Sequence, residues 1–115
     1  MKTWITQLRK GLLELLLLNV IARGESYGYA IMQQLRGIDD LTVGESTMYP
    51  VLERLHGDGY IRVRQEPSPN GPMRRYYSLT TLGECRVGEM NRYWDHLCVS
   101  ISYLRDVEKG EANAK

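Results

Sequence analysis

Two short clusters in this 115-residue chain carry side chains suited to holding an anion. Ser46, Thr47 and Tyr49 bring three hydroxyls close together, and Arg54 follows one to two helical turns later. Hydroxyls of this kind donate to phosphate oxygens or base edges, and the start of a helix itself attracts a phosphate. The second cluster is Arg62, Arg64, Arg74 and Arg75, which stand against the single acidic residue Glu66 between Tyr60 and Tyr77. Guanidinium groups beside a turn suit a phosphate backbone. Nothing comparable points to catalysis. There is no nucleophile–base pair, no Gly-rich phosphate loop, and neither His56 nor His96 has a second ligand at metal spacing. The residues predict a binding protein without a metal or cofactor.

Several of these residues read two ways. Ser46 could serve only as the N-cap of its helix, and Tyr49 could belong to the core. Arg62 and Arg64 alternate with Ile61 and Val63, so a solvated strand face explains them as readily as DNA does. Arg74 and Arg75, next to a turn tip, favour phosphate. Cys85 and Cys98 stand 13 positions apart in one expected helix. That puts them about 20 Å apart, too far to pair, so buried or idle thiols are expected.

Glycine and proline divide the elements that must position these groups. Leu8, Leu12, Leu15, Leu16, Leu18 and Ile21 recur at helical spacing along a first helix apolar on nearly every side, ended by Gly24. The run Leu12 to Ala22 is about half a membrane span and contains Glu14 and Asn19, so a buried helix is expected, not a membrane segment. A short second helix from Ser26 or Tyr27 to Arg36 follows, with Ser26 as candidate N-cap. Gly28 lies inside it at a cost of about 1 kcal/mol, which points to close packing. An acidic linker holding Asp39 and Asp40 leads to a third helix, from near Ser46 to Gly57. Tyr60–Arg64 then alternates as a strand, Pro67–Pro72 turns, and Arg74–Leu79 returns. A capping box at Thr81 and Glu84 opens a last helix ending near Val107.

That last helix carries Val87, Met90, Trp94, Leu97, Ile101 and Leu104 at alternating steps of three and four, a heptad seam. One small chain has too little surface to cover both this seam and the first helix. A homodimer is predicted, with Leu12, Leu16, Val87, Met90, Leu97, Ile101 and Leu104 at its interface. The element order is that of a winged helix-turn-helix: mainly α, with a β-hairpin wing and a long C-terminal dimerisation helix. The expected division is 1–79 for the head, 80–109 for the dimerisation helix and 110–115 for a frayed tail.

Composition is compatible with this and narrows it. Hydrophobic residues at 43% and charged residues at 25% describe a soluble globular domain, excluding disorder and repeats. Fifteen basic against fourteen acidic side chains leave a net charge of +1, which excludes a uniformly basic nucleic-acid coat. The wing is locally positive, while Glu45, Glu53 and Asp58 offset Arg54 around the third helix. Non-specific DNA binding should therefore be modest. With no signal peptide read at Met1–Lys10, a cytoplasmic protein is expected.

Three blocks carry a resemblance. They are Ser26-Tyr27-Gly28-Tyr29; Glu45 to Leu55 (ESTMYPVLERL) with Asp58-Gly59-Tyr60-Ile61; and Arg74 to Thr80 (RRYYSLT) with Gly83. In this order the chain resembles PadR-family transcriptional regulators, from about Leu8 to Leu104, in their compact form with one C-terminal helix. The resemblance implies a dimeric bacterial repressor, dimerised by its last helix against the partner's first, that binds double-stranded DNA at a pseudo-palindromic operator. Members commonly respond to small aromatic or toxic compounds. Ser46, Thr47 and Tyr49 fall on the family's groove-facing positions, and Arg74 and Arg75 on its basic wing. Trp94 falls where some drug-responsive members face a pore at the dimer interface, and Asn19 on that pore's first-helix wall. Other members lack the pore.

On its own residues, Trp94 is either a packing residue or, with Leu15 and Asn19, the lining of a slot for an aromatic effector. Two further readings stay open: a winged-helix module for protein–protein contact, and a repressor of this kind without a ligand pore.

Overall fold

A computed structural model describes residues 3–38 and 43–114, with side chains as far as residue 106. The acidic pair Asp39 and Asp40 lies outside the described residues. The chain runs α1 (Thr3–Ala22), β1 (Ser26–Tyr27), α2 (Gly28–Arg36), α3 (Glu45–Gly57), β2 (Ile61–Ser68), β3 (Gly71–Leu79) and α4 (Thr81–Ala114). This is the expected winged helix-turn-helix with a long last helix.

The apolar spacings in the sequence explain the packing. Leu13, Leu17, Leu18, Val20 and Ile21 bury α1 on more than one side. Against it lie Ile31, Met32 and Leu35 of α2, and Met48, Leu52 and Leu55 of α3, each set at helical intervals. The fully buried Tyr77 and Ile61 close the core from the sheet, and Val87 of α4 joins it. Gly24 (φ 147°) ends α1 and Gly59 (φ 84°) reverses the chain between α3 and β2, in backbone regions where a Cβ is strained.

Local sequence misplaces three boundaries. Ser26 is no N-cap: it pairs with Tyr77 in a third strand, giving the sheet order β1-β3-β2. Its hydroxyl donates to the Gly24 carbonyl (3.3 Å), and Tyr27 stands at the start of α2. The hairpin is longer than expected because Pro67 pairs with Met73 beside a bulge, leaving only Pro69 and Asn70 to turn. A proline is tolerated in a strand at such an irregular outer end. The last helix is capped by Thr80, one residue before the expected box. Its Oγ1 accepts from the Gly83 amide (3.0 Å) and donates to the Gly59 carbonyl (2.6 Å).

This cap draws α4 against the α3–β2 turn. Gly83 makes the approach possible, since a Cβ there would sit 1.9 Å from the Tyr60 carbonyl oxygen. At its far end α4 continues through Gly110 to Ala114 instead of stopping near Val107. A single glycine costs a helix about 1 kcal/mol and does not end it. Both cysteines are exposed, not buried, because they lie off the face α4 presents to the core.

Much of α4 projects from the body, and the chain as a whole extends over 67 × 33 × 21 Å. Three residues assigned to the dimer interface are satisfied within the chain: Val87 is buried, and Leu16 and Met90 pack on the core. Further along the seam, Ile101 is 46% and Leu104 65% exposed, with Leu97 half-buried and Leu12 half-buried on α1. Trp4 and Leu8 extend the apolar stripe of α1 and are also exposed.

Candidate nucleic-acid interface

The outer side of α3 is fixed by what its inner side buries. With Met48, Leu52 and Leu55 turned to the core, Ser46, Thr47 and Pro50 are left exposed. The N-cap of α3 is Gly44, with no side-chain cap bond, so Ser46 is not spent on capping. Its amides at 47 and 48 both donate to the Gly44 carbonyl (3.1 and 2.9 Å).

Tyr49 sits on the wing side of α3 and is neither core nor fully free. Its hydroxyl lies against Gly28, where a Cβ would come within 2.2 Å. That close approach explains the glycine, which stands at the first position of α2 and not inside it as the sequence suggested. Burial, chiefly, raises the phenol pKa above its usual value, so Tyr49 stays a neutral donor. Tyr49, Gly28, Tyr27, Tyr29, Tyr77, Met73, Arg74 and Arg75 line an open cleft of about 480 Å³ between α3 and the wing.

Arg74 and Arg75 leave β3 on opposite faces. Arg74 stacks over the Tyr27 ring (4.5 Å) on the outer face, where Arg64 likewise covers Tyr76 (4.8 Å). Among the described residues no carboxylate pairs with Arg74 or Arg62. Arg75 points inward, with Nη2 bonded to Glu53 Oε1 of α3 (2.8 Å) and Nε to the Tyr77 hydroxyl (3.4 Å). The Tyr77 hydrogen bond, above all, raises the Arg75 pKa. Arg64 is held by both carboxylate oxygens of Glu25 (2.7 and 3.0 Å) and by Glu66. The positive wing read from composition is therefore partly neutralised.

Arg54 is placed on the other flank of α3, turned to α1. Nη2 bonds Glu14 Oε1 (3.1 Å), and Nη1 approaches Asp58 (3.7 Å). The second oxygen of Glu14 takes Arg86 Nε of α4 (2.9 Å), whose guanidinium also covers the Tyr60 ring (4.9 Å). Glu14, largely buried, thus ties three helices together, and Arg54 serves as a structural link among them. Sequence reading missed this, because Glu14 and Arg54 are 40 residues apart.

A second cleft of about 490 Å³ separates α1 from α4, lined mainly by Leu12, Leu15, Met90, Tyr93, Trp94 and Leu97, with Arg86 and Glu89 at its polar edge. Leu15 and Trp94 both line it. Asn19 does not, which corrects its place on the ligand wall. Its amide exchanges two 2.9 Å hydrogen bonds with Asn91 of α4, and Nδ2 also donates to the Leu15 carbonyl (2.9 Å). Asn19 clamps the helices; Asn91 carried no periodic signal that would have revealed it.

Among the described residues, no helix is long and apolar enough to cross a membrane.

Residues 17–89 match the family model described as the transcriptional regulator PadR-like family. A solved Streptococcus transcriptional regulator is 39% identical with a TM-score of 0.76, covering 86% of this chain and 97% of its own. A PadR-like regulator from Bacillus cereus is 31% identical (TM-score 0.75; 85% and 95% covered). One from Eggerthella lenta is 27% identical (TM-score 0.80; 89% and 88% covered). An uncharacterized Lysinibacillus sphaericus protein is 30% identical over 87 residues, 74% of this chain and 80% of that one.

Proposed function

Because the chain belongs to the PadR-like family of transcriptional regulators, and so is a DNA-binding regulator and not an enzyme, we propose that it acts as a homodimeric repressor tuned by a small aromatic ligand. The observation that carries this reading is the exposed Ser46, Thr47 and Pro50 face of α3 beside the unpaired Arg74 of the wing. That pairing offers a groove-reading helix and a backbone contact on one side of the molecule.

Dimerisation is supported by the uncovered apolar stripe of α4, from Trp94 through Ile101 and Leu104, beside Trp4 and Leu8 of α1. Two heads joined there would meet successive major grooves about 34 Å apart on a pseudo-palindromic operator. The test is a mobility-shift titration at two salt concentrations on a duplex recovered by the chain from a randomised pool. Tyr49→Ala should cut the preference for that duplex over random DNA about tenfold. Arg74→Ala should weaken both and flatten the salt slope by about one. Equal losses on all sequences for Tyr49→Ala would remove it from base readout.

The α1–α4 cleft supports the ligand part. Its apolar walls and the Arg86–Glu89 edge suit a flat aromatic compound stacked on Trp94. Such a ligand acts on DNA binding only as far as it prefers one head spacing over another. Trp94→Ala should weaken binding of Hoechst 33342, used as a planar aromatic probe, about tenfold while the dimer persists. Calorimetry showing the same affinity in both proteins would remove the slot.

A further inference from the structure

Within that regulator reading, the pair between Glu53 and Arg75 bears on how DNA sequences are told apart. Glu53 sits one turn after Tyr49 on the recognition helix, with its side chain 57% exposed, and its Oε1 holds Arg75 of the wing at 2.8 Å. No other ion pair among the described residues links the recognition helix to the wing. Each partner has an alternative on DNA. A backbone phosphate offers Arg75 the same bidentate acceptor geometry as a carboxylate. A carboxylate in the major groove takes the cytosine N4 amino group as its donor.

We propose that Glu53 is a specificity-determining residue: in the free protein it occupies Arg75 in place of phosphate, and it releases Arg75 favourably only where cytosine faces it. Guanine and thymine offer no amino donor in the major groove, and adenine sets its N7 acceptor beside the N6 amino group. There, a phosphate that captures Arg75 leaves the Glu53 carboxylate without a favourable donor, and the like charge opposes binding. On a cytosine-bearing site the broken pair is replaced by two bonds, Arg75 to phosphate and Glu53 to the base. The modest net charge of the head follows the same logic, since Arg54 and Arg64 are also held by carboxylates in the absence of DNA.

The test is a double-mutant cycle on the full chain with Glu53→Gln, Arg75→Gln and the double variant. Each is titrated by fluorescence anisotropy against a random-sequence duplex and against the duplex the parent recovers from a randomised pool. Glu53→Gln should tighten random-duplex binding about fivefold when Arg75 is present and about twofold at most when it is replaced. Discrimination should fall about tenfold, and pool selection with Glu53→Gln should lose one C·G pair in each half-site. Equal tightening in both backgrounds, or the same pair selected by both proteins, would overturn the inference alone. Failure of the parent to bind any duplex would overturn the regulator reading, and this inference with it.

Discussion

Gly83→Ala is expected to lower folding stability by about 3 kcal/mol, the upper part of the range for forced overpacking. The added Cβ would stand 1.9 Å from the Tyr60 carbonyl oxygen and 2.9 Å from its carbon, and neither is a side chain that can swing aside. To make room, the start of α4 must move off the α3–β2 turn. That movement breaks the Thr80 hydroxyl's bonds to Gly83 and Gly59, and it disturbs the Thr80 amide's bond to the Tyr60 carbonyl (3.1 Å). For a domain of this size the loss corresponds to a fall in Tm of roughly 10 °C. Calorimetry would show it. A shift of less than a few degrees would mean the helix start tolerates a displacement this packing does not allow.

Ile101→Glu is expected to split the proposed homodimer while leaving each chain folded. Ile101 is 46% exposed in the single chain, so a carboxylate there costs the monomer little. In the proposed interface each carboxylate would be removed from water without a partner charge, which costs about 4 kcal/mol or more. That is roughly a thousandfold in the dimer dissociation constant. DNA affinity should fall at least a hundredfold, because a single head loses the gain of binding two half-sites at once. Circular dichroism should not change. A dimer that survives the substitution would place the interface elsewhere.

The sequence made the winged-helix order legible because its punctuation is strong: Gly24, Gly37, the Gly57–Gly59 turn and the proline-rich hairpin tip each end an element. The inner faces of α2 and α3 were equally plain from their spacing. The misplaced starts of α2 and α4 share one physical cause. Ser26 became a strand residue through pairing with Tyr77, 51 residues away, which no local pattern encodes. Thr80 and Thr81 are the same residue type, and only the Gly59 carbonyl selects the first as cap.

The functional residues divide the same way. Ser46 and Tyr49 could be read from their helix, and the meeting of Leu15 with Trp94 from the heptad seam. The commitments of Arg54 to Glu14, Arg75 to Glu53 and Asn19 to Asn91 are all long-range side-chain choices. They alter what those residues are free to do. Half of the wing's arginine charge, on Arg64 and Arg75, is paired internally before DNA arrives.

In the proposed regulator two heads, held by α4, read two half-sites. Sedimentation of the chain on a labelled duplex recovered from a randomised pool, with half-site spacing varied, tests it most directly. Two chains per duplex are expected, with affinity falling at least tenfold when about half a helical turn of DNA is inserted between the half-sites. One chain per duplex, with affinity indifferent to the insertion, would contradict it.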